Sequence, residues 1–132
     1  WKKFKVNLSN VFKGLNSIGL IALENSGYTQ SDAFEDCSEL YKERIKNEKI
    51  KGFCFYTNQD NERAKEYGVL PLGIWGAPEG GVSDTNAIGL LVVEAFTRNG
   101  FEISWTGQNS DRPEVYLKNF QSSKKGLFGL FR

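Results

Sequence analysis

Residues 51–76, KGFCFYTNQDNERAKEYGVLPLGIWG, limit what this chain can fold into more than any other stretch. Phe53 and Phe55 alternate with Cys54 and Tyr56 at the period of two of a strand, which predicts the two phenylalanines facing inward. A polar helix follows. Asn58, Asp60 and Glu62 supply caps and acids at its start, Ala64 and Tyr67 are its apolar contacts, and Gly68 suits the left-handed position that closes it. Residues 69–75 are apolar again. The connection has about the minimum length for a parallel crossover, so the expected unit is a right-handed βαβ.

On either side, helical and extended periods alternate. Leu8, Val11, Phe12 and Leu15 form the stripe of a first helix, weakened by Gly14, and residues 18–24 are a compact apolar run expected to be a strand. Thr29 and Asp32 resemble a capping box. The helix they open repeats Ala33, Phe34, Cys37, Leu40, Tyr41, Arg44 and Ile45, with acids early and bases late, as the helix dipole favours. After the loop at residues 77–81, Ser83 or Asp84 is the expected cap of a nearly fully buried helix, with Ile88, Leu91, Val92 and Ala95 as its stripe and Leu90, Val93 and Phe96 widening it. Gly89 is expected to let that helix approach the sheet, and residues 99–100 to end it. Phe101, Ile103 and Trp105 then alternate with polar residues, and a second alternating run after Pro113 predicts an antiparallel hairpin. The fold class is therefore α/β: residues 1–120 as a single domain, a mixed sheet of about five strands with four helices and a C-terminal antiparallel hairpin. Residues 121–132 are expected to be a basic tail.

Composition narrows the chemistry. The 132 residues include no histidine, which removes Ser-His-Asp and Cys-His nucleophilic sites and imidazole-ligated zinc. Two cysteines, Cys37 and Cys54, are too few for a structural zinc site and are expected to be buried thiols. No metal, no cofactor and no enzymatic activity is expected. The longest uncharged apolar stretch, residues 14–23, is far short of the roughly twenty residues of a transmembrane helix. No signal peptide is recognisable, so the expected location is cytoplasmic.

The net charge of +1 conceals an uneven distribution. Residues 1–13 hold four lysines and no acid, and residues 14–41 hold five acids, Glu24, Asp32, Glu35, Asp36 and Glu39, and no base. Residues 52–117 hold nine acids against four bases, and residues 118–132 four bases and no acid. Basic ends around an acidic middle argue against nucleic-acid binding and for a basic protein partner. The candidate partner-binding residues are those five acids with Asp60 and Glu62, and Tyr56 and Trp75 as aromatic anchors or core residues. The alternative is a small-ligand site at the carboxyl end of the strand ending at Tyr56, built from Gln59 and Arg63 with the glycine loop of Gly76, Gly80 and Gly81. Against it, Asp60 and Glu62 serve equally well as helix caps.

At residues 54–64, CFYTNQDNERA, the chain resembles a bacterial family of small α/β domains of unknown function. The matching pieces are the strand ending Phe55-Tyr56, the helix start at Gln59, Asp60, Glu62, Arg63 and Ala64, the strand reaching Gly76, and FEISW at 101–105. This resemblance covers residues 18–117 and implies a fold rather than an activity. The cysteine cluster many members carry has no counterpart beside Gly27 and Tyr28. In size, absence of catalytic motifs, acidic interior and KKGLFGLFR ending, the chain also resembles the cytoplasmic immunity proteins that bacteria encode beside secreted toxins. That resemblance implies a basic toxin domain as partner and neutralisation by covering its active site.

Overall fold

The computed structural model describes residues 1–117. The basic tail expected at 121–132 lies outside the described residues. Four helices and six strands follow in the order α1 (Lys2–Ser17), β1 (Leu20–Leu23), α2 (Gln30–Arg44), β2 (Gly52–Phe55), α3 (Asn58–Tyr67), β3 (Val69–Pro71), β4 (Gly73–Gly76), α4 (Val82–Arg98), β5 (Glu102–Ser104) and β6 (Glu114–Tyr116). This is the expected α/β architecture, with its strands shared between two three-stranded sheets, β1-β2-β4 and β3-β6-β5.

Both faces of β2 are covered, so Cys54 and Tyr56 are buried as fully as Phe53 and Phe55. On one face α1 and α4 pack Phe4, Leu8, Phe12, Ile88, Val92 and Phe96 around Cys54 and Tyr56. On the other, α2 places Ala33 and Cys37 over Ile21, Phe53 and Phe55. A strand buried on both sides has no polar face, so Cys54 is the buried thiol expected and Tyr56 is a core residue rather than a surface anchor. The edge of β1 is closed by one side chain. Asn16 accepts from the Ala22 N–H at 2.8 Å and donates to the Ala22 carbonyl at 3.0 Å, as a neighbouring strand would.

The expected βαβ crossover at residues 51–76 does not form. β2 runs antiparallel to β4, and the parallel pair is β1 with β2, joined through α2. The reason lies at residues 68–73. Gly68, in the left-handed conformation at φ 81°, turns the chain out of α3 into β3, which pairs with β6 in the second sheet. The Leu72 N–H bonds the Pro113 carbonyl as a last rung on that ladder, Pro71 sits where its nitrogen faces the free edge, and the chain crosses to β2 at Gly73. A Cβ there would lie 2.2 Å from the Phe55 ring. The hairpin is as expected, β5 pairing antiparallel with β6 and Pro113 immediately preceding β6.

Three local expectations about caps and glycines also change. α3 is capped by Thr57 rather than by Asn58, in a reciprocal box with Asp60. α4 starts at Val82 with Gly81 as its cap, so Ser83 and Asp84 lie inside its first turn. Its outer side is not buried, Leu90 being 65% exposed. The glycines that let α4 approach the sheet are Gly52 and Gly76; Gly89 instead makes room for the Trp105 ring. At Gly76 a Cβ would sit 2.2 Å from the Asp84 backbone, so Gly76→Ala is expected to cost about 2–3 kcal/mol by forcing α4 off the sheet. Gly14→Ala is expected to do the opposite, adding about 0.5–1 kcal/mol, because Gly14 sits on the exposed side of α1 with open space at its Cβ. Urea unfolding of both variants measures the pair of signs.

Candidate functional site

Three polar constellations stand on this frame. The first is half-buried. Glu24 follows β1 and Tyr56 follows β2, so the two parallel strands bring both side chains to the same end of the sheet. The Tyr56 hydroxyl donates to Glu24 Oε1 at 3.0 Å, and the Ser9 hydroxyl reaches both Glu24 oxygens at 3.1 and 3.0 Å. Lys5 Nζ donates to the Tyr56 hydroxyl at 2.7 Å and to Asn61 Oδ1 at 2.6 Å, lying over the Trp1 and Tyr56 rings. Burial lowers the Lys5 pKa, the Glu24 charge opposing only in part. Burial likewise raises that of Tyr56, helped by the Glu24 charge. The chain Lys5–Tyr56–Glu24–Ser9 ties α1 to the sheet and to Asn61 of α3; Tyr56 is fully buried in it, while Lys5, Ser9 and Glu24 are half-buried. Tyr56 is 0% exposed, so the partner-binding role anticipated for it has no surface to act from.

The second constellation is the ion pair of Asp60 with Arg112. Asp60, 3% exposed, accepts from the Thr57 N–H at 3.0 Å and takes the Arg112 guanidinium in a fork at 3.1 and 2.7 Å. Arg112 also donates to the carbonyls of Leu72 and Pro71. Asp60 is thereby a structural carboxylate. Arg112 was missed in the sequence because nothing around it in the loop after β5 indicates a partner fifty residues away.

The third is on the surface. At 100° per residue, Asp32, Glu35, Asp36, Glu39 and Glu43 of α2 fall within about one third of the helix circumference, opposite the buried Ala33 and Cys37. All five acids are exposed. Asp32 accepts from the Tyr28 and Thr29 N–H groups, and those backbone bonds hold its carboxyl below the usual range. Asp36 accepts from the Ser26 hydroxyl at 2.7 Å. Among the described residues the α2 acids have no basic side chain within ion-pair distance. Glu62 joins this face from α3 through the Tyr28 hydroxyl, 3.5 Å away, and Tyr28 itself is 52% exposed. Tyr28 and Glu43 were not anticipated; the i, i+4 spacing of Glu39 and Glu43 was the legible signal for the latter.

The alternative ligand site is not assembled. Gln59 and Arg63 follow the carboxyl end of β2, whereas Gly76 pairs with Gly52 at its amino end. The glycine loop has steric duties instead, since a Cβ on Gly80 would meet the Trp75 indole at 2.2 Å. Trp75 is half-buried, stacked on Phe53 with centroids 4.4 Å apart and edged by Phe34 and Tyr41. Among the described residues no group of three potential ligands is poised to hold a metal ion, and no helix is long and apolar enough to cross a membrane.

Residues 6–122 match DUF6891, a domain of unknown function, and the chain belongs to that family. A family of unknown function is what the resemblance at residues 54–64 implied. An aspartate–tRNA(Asp/Asn) ligase from Nitrobacter hamburgensis is 27% identical over 105 residues, covering 76% of this chain and 17% of that protein. The chain thus spans about a sixth of the length of that relative. No solved structure matches the chain.

The thiols provide a check on the packing around the site. Cys37 and Cys54 are both free and buried, on opposite faces of β2. Burial, with the Asp36 charge adding to it, pushes the Cys37 thiol up to about 12, and burial raises Cys54 further. Raised pKa values leave almost no thiolate at pH 8, so iodoacetamide is expected to label neither cysteine in the folded protein and both in urea. Mass spectrometry counts the adducts; rapid labelling of native Cys37 would show that α2 is not seated as described.

Proposed function

We propose that this chain is a cytoplasmic partner-binding protein of the immunity type, which neutralises a basic toxin domain by covering it. The outward acidic face of α2 carries this reading. Asp32 and Asp36, Glu35 and Glu39, and Glu39 and Glu43 are like-charged pairs one turn apart, each unfavourable to an isolated helix by about 0.2–0.5 kcal/mol. A basic surface laid across the face would reverse that repulsion, speed encounter and set orientation. Tyr28, exposed beside Glu62, is the aromatic anchor in place of the buried Tyr56. Glu24 and Asp60 are engaged by Tyr56 with Ser9 and by Arg112 and take no part. The mechanism is steric and electrostatic, and no bond is made or broken.

The side chains of Glu35, Glu39 and Glu43 make no hydrogen bond among the described residues, so they can be reversed without disturbing a cap. The triple variant Glu35→Lys, Glu39→Lys, Glu43→Lys is expected to leave urea stability within about 1 kcal/mol of the parent. Its affinity for the product of the adjacent upstream gene, the toxin in this reading, is expected to fall about hundredfold in calorimetric titration at low salt. Equal affinity of parent and folded variant for that protein would overturn the reading.

A further inference from the structure

At the amino end of β2, an open cleft of about 380 Å³ lies between the second half of α2 and the first turns of α4. Its floor is apolar. Ile50 and Ile88 are buried at its base, and Pro78, Ala87 and Leu91 form the walls. The close seating of α4 on Gly52 and Gly76 fixes that wall relative to the sheet. Three groups able to receive a negative charge lie around it. Lys49 and Lys51 line the cleft, are exposed, and have no carboxylate within ion-pair distance among the described residues. The backbone of Lys51 is clamped on both sides, its N–H to the Gly19 carbonyl at 2.8 Å and its carbonyl to the Ala77 N–H at 2.9 Å. Tyr41 lines the same cleft, its ring held edge-on against Phe53 and Trp75 while its hydroxyl has no hydrogen-bond partner among the described residues. Asp84 is the one acid in the lining, which leaves the cleft a net positive charge.

We propose that this cleft is a binding site for a small amphipathic organic anion: one carboxylate, sulfonate or phosphate head on an apolar body. The volume is that of an ordinary small-molecule site, and an apolar cavity with a few polar groups at one side is the usual composition of such sites. Lys49, Lys51 and the Tyr41 hydroxyl take the head, while Pro78, Ala87 and Leu91 cover the body. Two cations beside an apolar wall select against a neutral molecule of the same shape, which would leave the ammonium groups partly desolvated and unpaired. The site uses none of the acids of α2 and is independent of the partner-binding reading.

The test uses the full chain and 8-anilinonaphthalene-1-sulfonate, an amphipathic anion whose fluorescence rises in apolar surroundings. Titration is expected to give saturable one-to-one binding, displaced by sodium octanoate and not by octanol at equal concentration. Lys49→Gln with Lys51→Gln is expected to weaken it about tenfold. Ala87→Trp, which fills the cleft and keeps both lysines, is expected to abolish it. Unchanged far-UV and near-UV circular dichroism in each variant separates this from dye uptake by a loosened core. Absence of saturable binding, equal binding by the parent and both folded variants, or displacement by octanol as effective as by octanoate would overturn the proposal.

Discussion

The fork between Asp60 and Arg112 is the contact on which the arrangement of the two sheets depends. Asp60 closes the capping box that starts α3, and Arg112 precedes β6, the central strand of the second sheet. The same guanidinium holds the carbonyls of Pro71 and Leu72, where the chain crosses from one sheet to the other. One buried carboxylate therefore joins the end of β2, the start of α3, the crossing and the approach to β6. A buried charge pair is costly to form, and its worth lies in what removing one partner leaves behind: an unpaired charge in a poorly solvated place.

With the sheets fixed in this way, the polar features separate by location. Lys5, Glu24 and Ser9 converge on the buried Tyr56 at one end of the parallel strands, where they fasten α1. The α2 acids point outward from the opposite face of the sheet, and the lysines of the cleft lie below its other end. An acidic binding face and a basic cleft can coexist on one small domain because α2 carries its acids on the side away from Tyr41, which faces Trp75 and the cleft. Each surface keeps its own sign of charge.

Much of the fold was legible because several residues have a single physical use. The Thr29 and Asp32 capping box, Gly68 in the left-handed turn, the stripe of Leu8, Val11, Phe12 and Leu15, and the antiparallel β5–β6 pair all follow from local pattern. What failed depended on distant chain. Nothing near residues 69–76 announces that β3 and β4 belong to different sheets, since the decision is made by β6 and by the Phe55 ring over Gly73. Nothing near Tyr56 distinguishes an exposed aromatic from one enclosed by α1. The acidic α2 face was visible as composition, yet its separation from Glu24 and Asp60 required the hydrogen bonds that engage those two. Tyr28 and Arg112 left no sequence signal because each acquires its role from a partner on another element.

A double-mutant cycle across Asp60 and Arg112, measured by urea unfolding, tests the central claim most directly. Asp60→Leu and Arg112→Leu should each lose about 3–5 kcal/mol, and the double variant should lose about 2–3 kcal/mol less than their sum, since neither charge is then left alone. Losses that add to within about 0.5 kcal/mol would mean that the two residues act independently and that the sheets are held together by something else.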